Sequence, residues 1–164
     1  MQTLKHRTYP DGTLAREGHP EEIVDAVAAA PLFFGIDRDE VARILRAFDE
    51  QSFNAGHRIT LEGLRGSDFY VITQGRAGVL VNGRRVAQIG RGDFFGEVAV
   101  LGDGMRSATV AAETPMRCLV LSNNGLEELL VQHPHLGVNV LREVVSRFRE
   151  LSAWPALTLR VVDR

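Results

Sequence analysis

The sequence predicts an α+β fold: an antiparallel β-roll, jelly-roll-like, flanked by N-terminal helices and a long C-terminal helix. Three observations carry this expectation. Apolar residues recur at helical spacing before residue 51 and again after residue 121, short β-rich runs fill the interval, and eleven of the 16 glycines fall between Gly56 and Gly104. Glycine punctuation at that density marks tight turns between short strands.

Residues 1–20 are polar, carry Pro10, Gly12, Gly18 and Pro20, and show no periodicity, which reads as an N-terminal arm. A first helix is expected from Glu21 to about Ala30, begun by Pro20 and two acids that suit a helix N-terminus. After PLFFG, Asp37 and Glu40 form a D-x-x-E capping pattern, opening a helix with Val41, Ile44, Leu45 and Phe48 on one face. The runs HRITL, DFYVIT, AGVLV, RRVAQI, SATVAA and MRCLVL then build the roll over residues 51–121. Asn82-Gly83 is its strongest hairpin signal, of the type I′ kind.

Ser122 is placed to cap a short helix ending near Gln132, and Pro134 to start a longer one reaching about Ser152. Helices over 21–48, the roll over 51–121 and helices over 122–152 make one domain, and residues 153–164 read as an extension or linker. In the long helix, Leu141, Val144, Phe148 and Leu151 follow 3-4-3 spacing, a seam that serves either to pack back on the chain's own roll or to make a two-helix contact, and a homodimer through residues 136–152 is the expected use. Arg142, Arg147 and Arg149 are expected to meet solvent, while Trp154, after the long helix, is placed to act as an aromatic lid, to pack on the roll or to belong to a linker.

Composition narrows the function classes. A chain of 164 residues with net charge −2 and no long run of like charge lacks the basic stripe of a nucleic-acid-binding surface. Its N-terminus has no apolar signal-peptide core and no window approaches the roughly 18 apolar residues of a membrane span, so a cytoplasmic location is expected. The single cysteine, Cys118, excludes a disulfide framework and reads as a buried strand residue. Only His57 of five histidines falls in the roll, no Ser/His/Asp set has a recognisable spacing, and so neither a metal site nor an enzyme is expected.

Chemistry concentrates in FFGEVAVLGDGMRSATV, residues 94–110, where Glu97 and Arg106 bear opposite charges on either side of a glycine-containing loop. Gly96 to Val100 suits one helical turn whose free N–H groups attract an anion, with Arg106 and the Ser107 hydroxyl facing it across the loop. A carboxylate beside a phosphate needs a hydroxyl donor, and a ribose 2′-OH is one, so the two charges together suggest a nucleotide.

Phe95-Gly96-Glu97-Val98-Ala99-Val100, five residues, then Arg106-Ser107-Ala108-Thr109-Val110 resembles the phosphate-binding cassette of the cyclic nucleotide-binding domain family. That family is shared by bacterial catabolite-activator-type regulators, protein kinase regulatory subunits and gated channels. A second signature, from Gly63 through Phe69-Tyr70-Val71-Ile72 to Gly75, together with PLFFG and Gly92-Asp93-Phe94, extends the resemblance over roughly residues 30–152.

The resemblance implies a regulatory sensor for a 3′,5′-cyclic nucleotide, cAMP favoured over cGMP, with no other cofactor. In it Arg106 pairs with the exocyclic phosphate oxygens, Ser107 contacts the phosphate, and Glu97 accepts from the ribose 2′-OH. Gly96, Val98 and Ala99 present backbone atoms to the sugar-phosphate, while Val79, Val86 and Ala87 line the base side. A residue late in the long helix reaches the base, at Leu151 or Ser152. Occupancy repositions the C-terminal helix for a partner subunit or a fused or separate effector. Bacterial regulators of the family continue into a DNA-binding domain, whereas only 12 residues follow Ser152 here, so nucleic acid is not an expected partner of this chain.

Two other readings use the same residues. Glu97 and Arg106 could form a structural salt bridge with each other, and the roll could be a ligand-free module for dimerisation or docking through residues 1–30 or 153–164.

Overall fold

The computed structural model describes residues 19–122 and 125–151, with the backbone alone at 7–8, 14–15 and Leu151. Two short strands, β1 (Arg7–Thr8) and β2 (Leu14–Ala15), pair antiparallel within the region read as an arm. Then come α1 (Glu21–Ala28), a 3₁₀ turn (Pro31–Phe33) made by PLFFG, and α2 (Arg38–Leu45). The Asp37 side chain caps α2, accepting from the Asp39 and Glu40 amides at 2.7 and 3.4 Å. Glu40 does not close a capping box: its carboxylate reaches His133 Nδ1 at 2.8 Å, tying α2 to the far end of the domain.

Eight strands follow as two four-stranded antiparallel sheets. β3 (Asp49–Phe53), β10 (Met116–Leu121), β5 (Phe69–Gln74) and β8 (Phe94–Phe95) form the first, in that spatial order. β4 (Arg58–Thr60), β9 (Thr109–Ala112), β6 (Arg76–Val81) and β7 (Arg84–Gly90) form the second. Asn82 and Gly83, at φ 51° and 72°, turn β6 into β7 as the asparagine-glycine pair predicts.

Strands β5, β8 and β10 of the first sheet are covered on both faces, which explains their near-continuous apolar runs, whereas the edge strand β3, DEQSF, is polar and largely exposed. Phe69 and Val71 of β5 and Leu119 and Leu121 of β10 face the helices, packing with Val41, Ile44, Leu45, Leu126 and Leu136. Their neighbours Tyr70, Ile72, Cys118 and Val120 face the second sheet, against Ala77, Ile89, Val110 and Ala112. Burial pushes the Cys118 thiol up to about 12, so it stays a neutral core side chain.

Between β8 and β9 lies α3 (Glu97–Leu101), and after the roll come α4 (Gly125–Gln132) and α5 (Pro134–Leu151). α4 begins at Gly125, three residues after the expected cap at Ser122. α5 presents Leu136, Val140 and Val144 to the helix-side core, and each fully buried apolar side chain contributes about 1.5–3 kcal/mol. Buried Asn139 adds two hydrogen bonds, to the carbonyls of Leu32 and Phe34 at 3.0 and 2.8 Å, fastening the 3₁₀ turn to α5. The expected seam therefore divides: Val144 faces the protein's own core, Leu141 is 63% exposed, and the Leu151 side chain lies outside the described residues. Trp154 and TLRVV also lie outside them.

Candidate functional site

The site grows from β8. Phe94 and Phe95 pair with Val71 and Tyr70 of β5 and enter the two cores on opposite faces, which fixes the start of the cassette. Gly96 then takes φ 93°, and a Cβ there would meet the Asp68 carbonyl oxygen at 2.5 Å and Arg106 Nη1 at 2.9 Å. Glycine alone suits both that left-handed backbone and that close approach. The first intrahelical bond of α3 runs from the Val100 amide to the Gly96 carbonyl at 3.3 Å, so the amides of Glu97, Val98 and Ala99 belong to the open first turn. Gly104 N–H donates to Ala99 O at 3.0 Å and folds the following loop back over the helix.

Arg106 is buried, at 7% exposure. Its Nη1 donates to the Asp68 and Gly96 carbonyls at 2.9 and 3.3 Å, and its guanidinium carbon lies 5.8 Å from the centroid of the Tyr70 ring. Tyr70 is itself fixed, stacked on Phe95 at 4.6 Å with its hydroxyl 3.4 Å from Asp68 Oδ2, and burial raises its phenol to about 12. Arg106 is thus held by carbonyls and an aromatic ring, and no carboxylate among the described residues lies within ion-pair distance of it. Ser107, next in sequence, is exposed.

Glu97 is equally buried, at 6% exposure, and it does not pair with Arg106. Its Oε1 is 3.4 Å from Nη1 of Arg147, on α5. The same Nη1 donates to the Phe94 carbonyl at 2.7 Å, Nε lies 3.5 Å from Glu143, and the guanidinium covers the Phe94 ring at 4.5 Å. Burial is the largest influence on Glu97 and raises it above the ordinary 4.5, against the opposing pull of the Arg147 cation.

Among the remaining expected residues, Val98 is exposed and the Ala99 side chain is buried. Val79 and Ala87 are register partners on β6 and β7 and share one face, with Val79 packed against the inter-sheet core. Val86 is the extra residue of a bulge between Val79 and Leu80, so strict strand alternation does not place it with them. Leu151 ends α5, and Ser152 lies outside the described residues. No three His, Cys, Asp or Glu side chains come together among the described residues, and no described helix is long and apolar enough to cross a membrane.

The model of the cyclic nucleotide-binding domain family matches residues 50–133, just over half of the chain. This chain belongs to the cyclic nucleotide-binding domain family. Relatives include the cAMP-dependent protein kinase regulatory subunit of Eremothecium gossypii, 36% identical over 107 residues, covering 65% of this chain and 23% of that protein. The cGMP-dependent protein kinase of Eimeria tenella is 34% identical over 113 residues, which cover 68% of this chain and 11% of the kinase. Among solved structures, Thermus thermophilus catabolite activator protein aligns with TM-score 0.69 and 28% identity over 76% of this chain and 61% of its own. This domain thus spans under a quarter of the two kinase-related proteins.

For a cyclic nucleotide-binding domain the gap in the sequence reading is Arg147, expected in solvent and found on the cassette. Helical spacing held the signal: Val140, Val144 and Arg147 fall at i, i+4 and i+7, the stripe that faces the core. An arginine at a core-facing position needs an acceptor, and Glu97 with the Phe94 carbonyl supplies two.

Proposed function

We propose that this domain is a regulatory sensor that binds a 3′,5′-cyclic nucleotide, cAMP in preference to cGMP, and reports occupancy through α5. The observation that carries the reading is a buried Arg106 with no carboxylate partner among the described residues, set beside the open first turn of α3. The phosphate meets Arg106, Ser107 and the backbone of Gly96, Val98 and Ala99, and the ribose 2′-OH donates to Glu97. The base lies along Val79, Val86 and Ala87, with Leu151 and Ser152 approaching it from the helix end. In some kinases that this family resembles a threonine after the cassette arginine goes with cGMP; Ser107 stands there in this chain and its hydroxyl leaves the choice of base to the titration. The reading contains no bond-breaking step and is that of a binding module.

The route to α5 is the Glu97–Arg147 contact. A ribose hydroxyl that hydrogen-bonds Glu97 changes what Arg147 is paired with, and so biases the position of the last turns of α5. The signal passes to a fused or separate effector. A homodimer through α5 uses a stripe different from the seam first expected, Val138, Leu141, Val145 and Phe148, whose four members are all about half exposed or more. These also follow 3-4-3 spacing, so Leu141→Asp is expected to give a monomer in sedimentation velocity at concentrations where the parent chain is dimeric.

Calorimetric titration with cAMP and cGMP tests the reading. cAMP is expected to bind well below 1 mM and more tightly than cGMP; if neither binds tighter than about 1 mM, roughly −4 kcal/mol, the sensor reading fails and a ligand-free docking module replaces it.

A further inference from the structure

Gly66 lies in the loop between β4 and β5. Its φ is outside the left-handed region, so the backbone does not require glycine there. What excludes a side chain is Arg106: a Cβ on Gly66 would come within 2.6 Å of both Cζ and Nη2 of Arg106, and closer still to Nε. Everything around that contact is fixed. Gly63 N–H donates to Arg106 O at 2.8 Å, Arg106 N–H to Leu64 O at 2.8 Å, and Gly66 N–H to Gly104 O at 3.0 Å, while Arg65 bridges Met105. The loop is therefore zipped to the same backbone that carries Arg106 and cannot retreat from it. Tyr70 lies over the guanidinium, and Asp68 and Gly96 hold Nη1.

We infer that Gly66 is a positioning residue for phosphate recognition: its missing side chain is the space in which the Arg106 guanidinium is held ready for an anion. The inference deepens the cyclic nucleotide reading and rests on it for its effect on affinity. The end of an arginine side chain is flexible, so a methyl group at position 66 displaces the guanidinium rather than the fold. Gly66→Ala is thus expected to separate two quantities that a merely structural glycine would lose together. Stability stays close to that of the parent, within ~3 °C in melting temperature. Anion recognition suffers, because the guanidinium leaves the carbonyls that orient it.

The test compares parent and Gly66→Ala in three measurements. In the crystal structure of the nucleotide-free variant, the Arg106 guanidinium is expected off the Asp68 and Gly96 carbonyls. By calorimetry, cAMP affinity is expected to fall roughly 10- to 100-fold. By thermal melting, the midpoint is expected to be nearly unchanged. Arg106 still seated on both carbonyls in the variant, or parent-like affinity with a lowered melting point, overturns the inference. If the parent chain itself binds neither cAMP nor cGMP, the functional reading fails, and the crystal structure of the variant still decides whether Gly66 positions Arg106.

Discussion

Arg106 and Glu97 are buried alike, at 7% and 6% exposure, and both flank Gly96 in space, yet their partners come from different parts of the molecule. Arg106 is held wholly from within the roll, by the carbonyls of Asp68 and Gly96 and the ring of Tyr70. Glu97 is held from outside it, by Arg147 on α5. One charge has a fixed setting and the other is shared with a helix that packs on the roll's edge. In the proposed function the phosphate end therefore supplies affinity, and the ribose end supplies the link to the helix.

The largest expected effect falls on the fixed charge. Arg106→Ala should weaken cAMP binding by about 2–4 kcal/mol, leaving the phosphate without its cation, while α5 packs as before. Calorimetry and melting together check it; parent-like affinity would put the phosphate elsewhere. Next comes the shared charge. A charge-assisted hydrogen bond contributes about 1.5–3 kcal/mol, so 2′-deoxy-cAMP should bind the parent domain that much more weakly than cAMP, and Glu97→Ala should erase the difference.

A smaller effect is in stability against pH. Burial raises Glu97 above 4.5 in the folded state, so the folded chain holds its proton more tightly than the unfolded chain does. Stability contributed by that proton is present at low pH and lost as pH rises from 4.5 through the folded value. Glu97→Gln cannot lose a proton and should flatten the stability profile in that window, measured by urea unfolding across pH. Ligand affinity runs the other way, because the 2′-OH needs the ionised carboxylate, so cAMP binding should weaken as pH falls through the same window.

The roll and its cassette were legible because their signals are local. Asn82-Gly83 fixes a hairpin by the backbone angles those residues adopt, and Gly96 with Glu97 and Arg106 fixes a cradle by spacing. What the sequence hid depends on contacts between distant elements. Arg147 meets Glu97 across 50 residues and Glu40 meets His133 across 93. A periodic helix could show which stripe faces inward, but not that the cassette lies under its end. The expected seam in α5 divides for the same reason, since Val144 fits the spacing of an outward stripe and yet packs against the helix-side core. Gly66 was invisible because its reason is the arginine 40 residues later, not its own turn.

The link between ligand and helix is tested most directly by hydrogen exchange along α5 with and without saturating cAMP, in the parent domain and in Arg147→Met. The methionine keeps apolar contact with Phe94 and removes the cation from Glu97. A change in exchange over residues 143–151 on binding in the parent, absent in the variant although cAMP still binds, is the predicted result. Binding that leaves α5 exchange unchanged in the parent, or changes it equally in the variant, would contradict it.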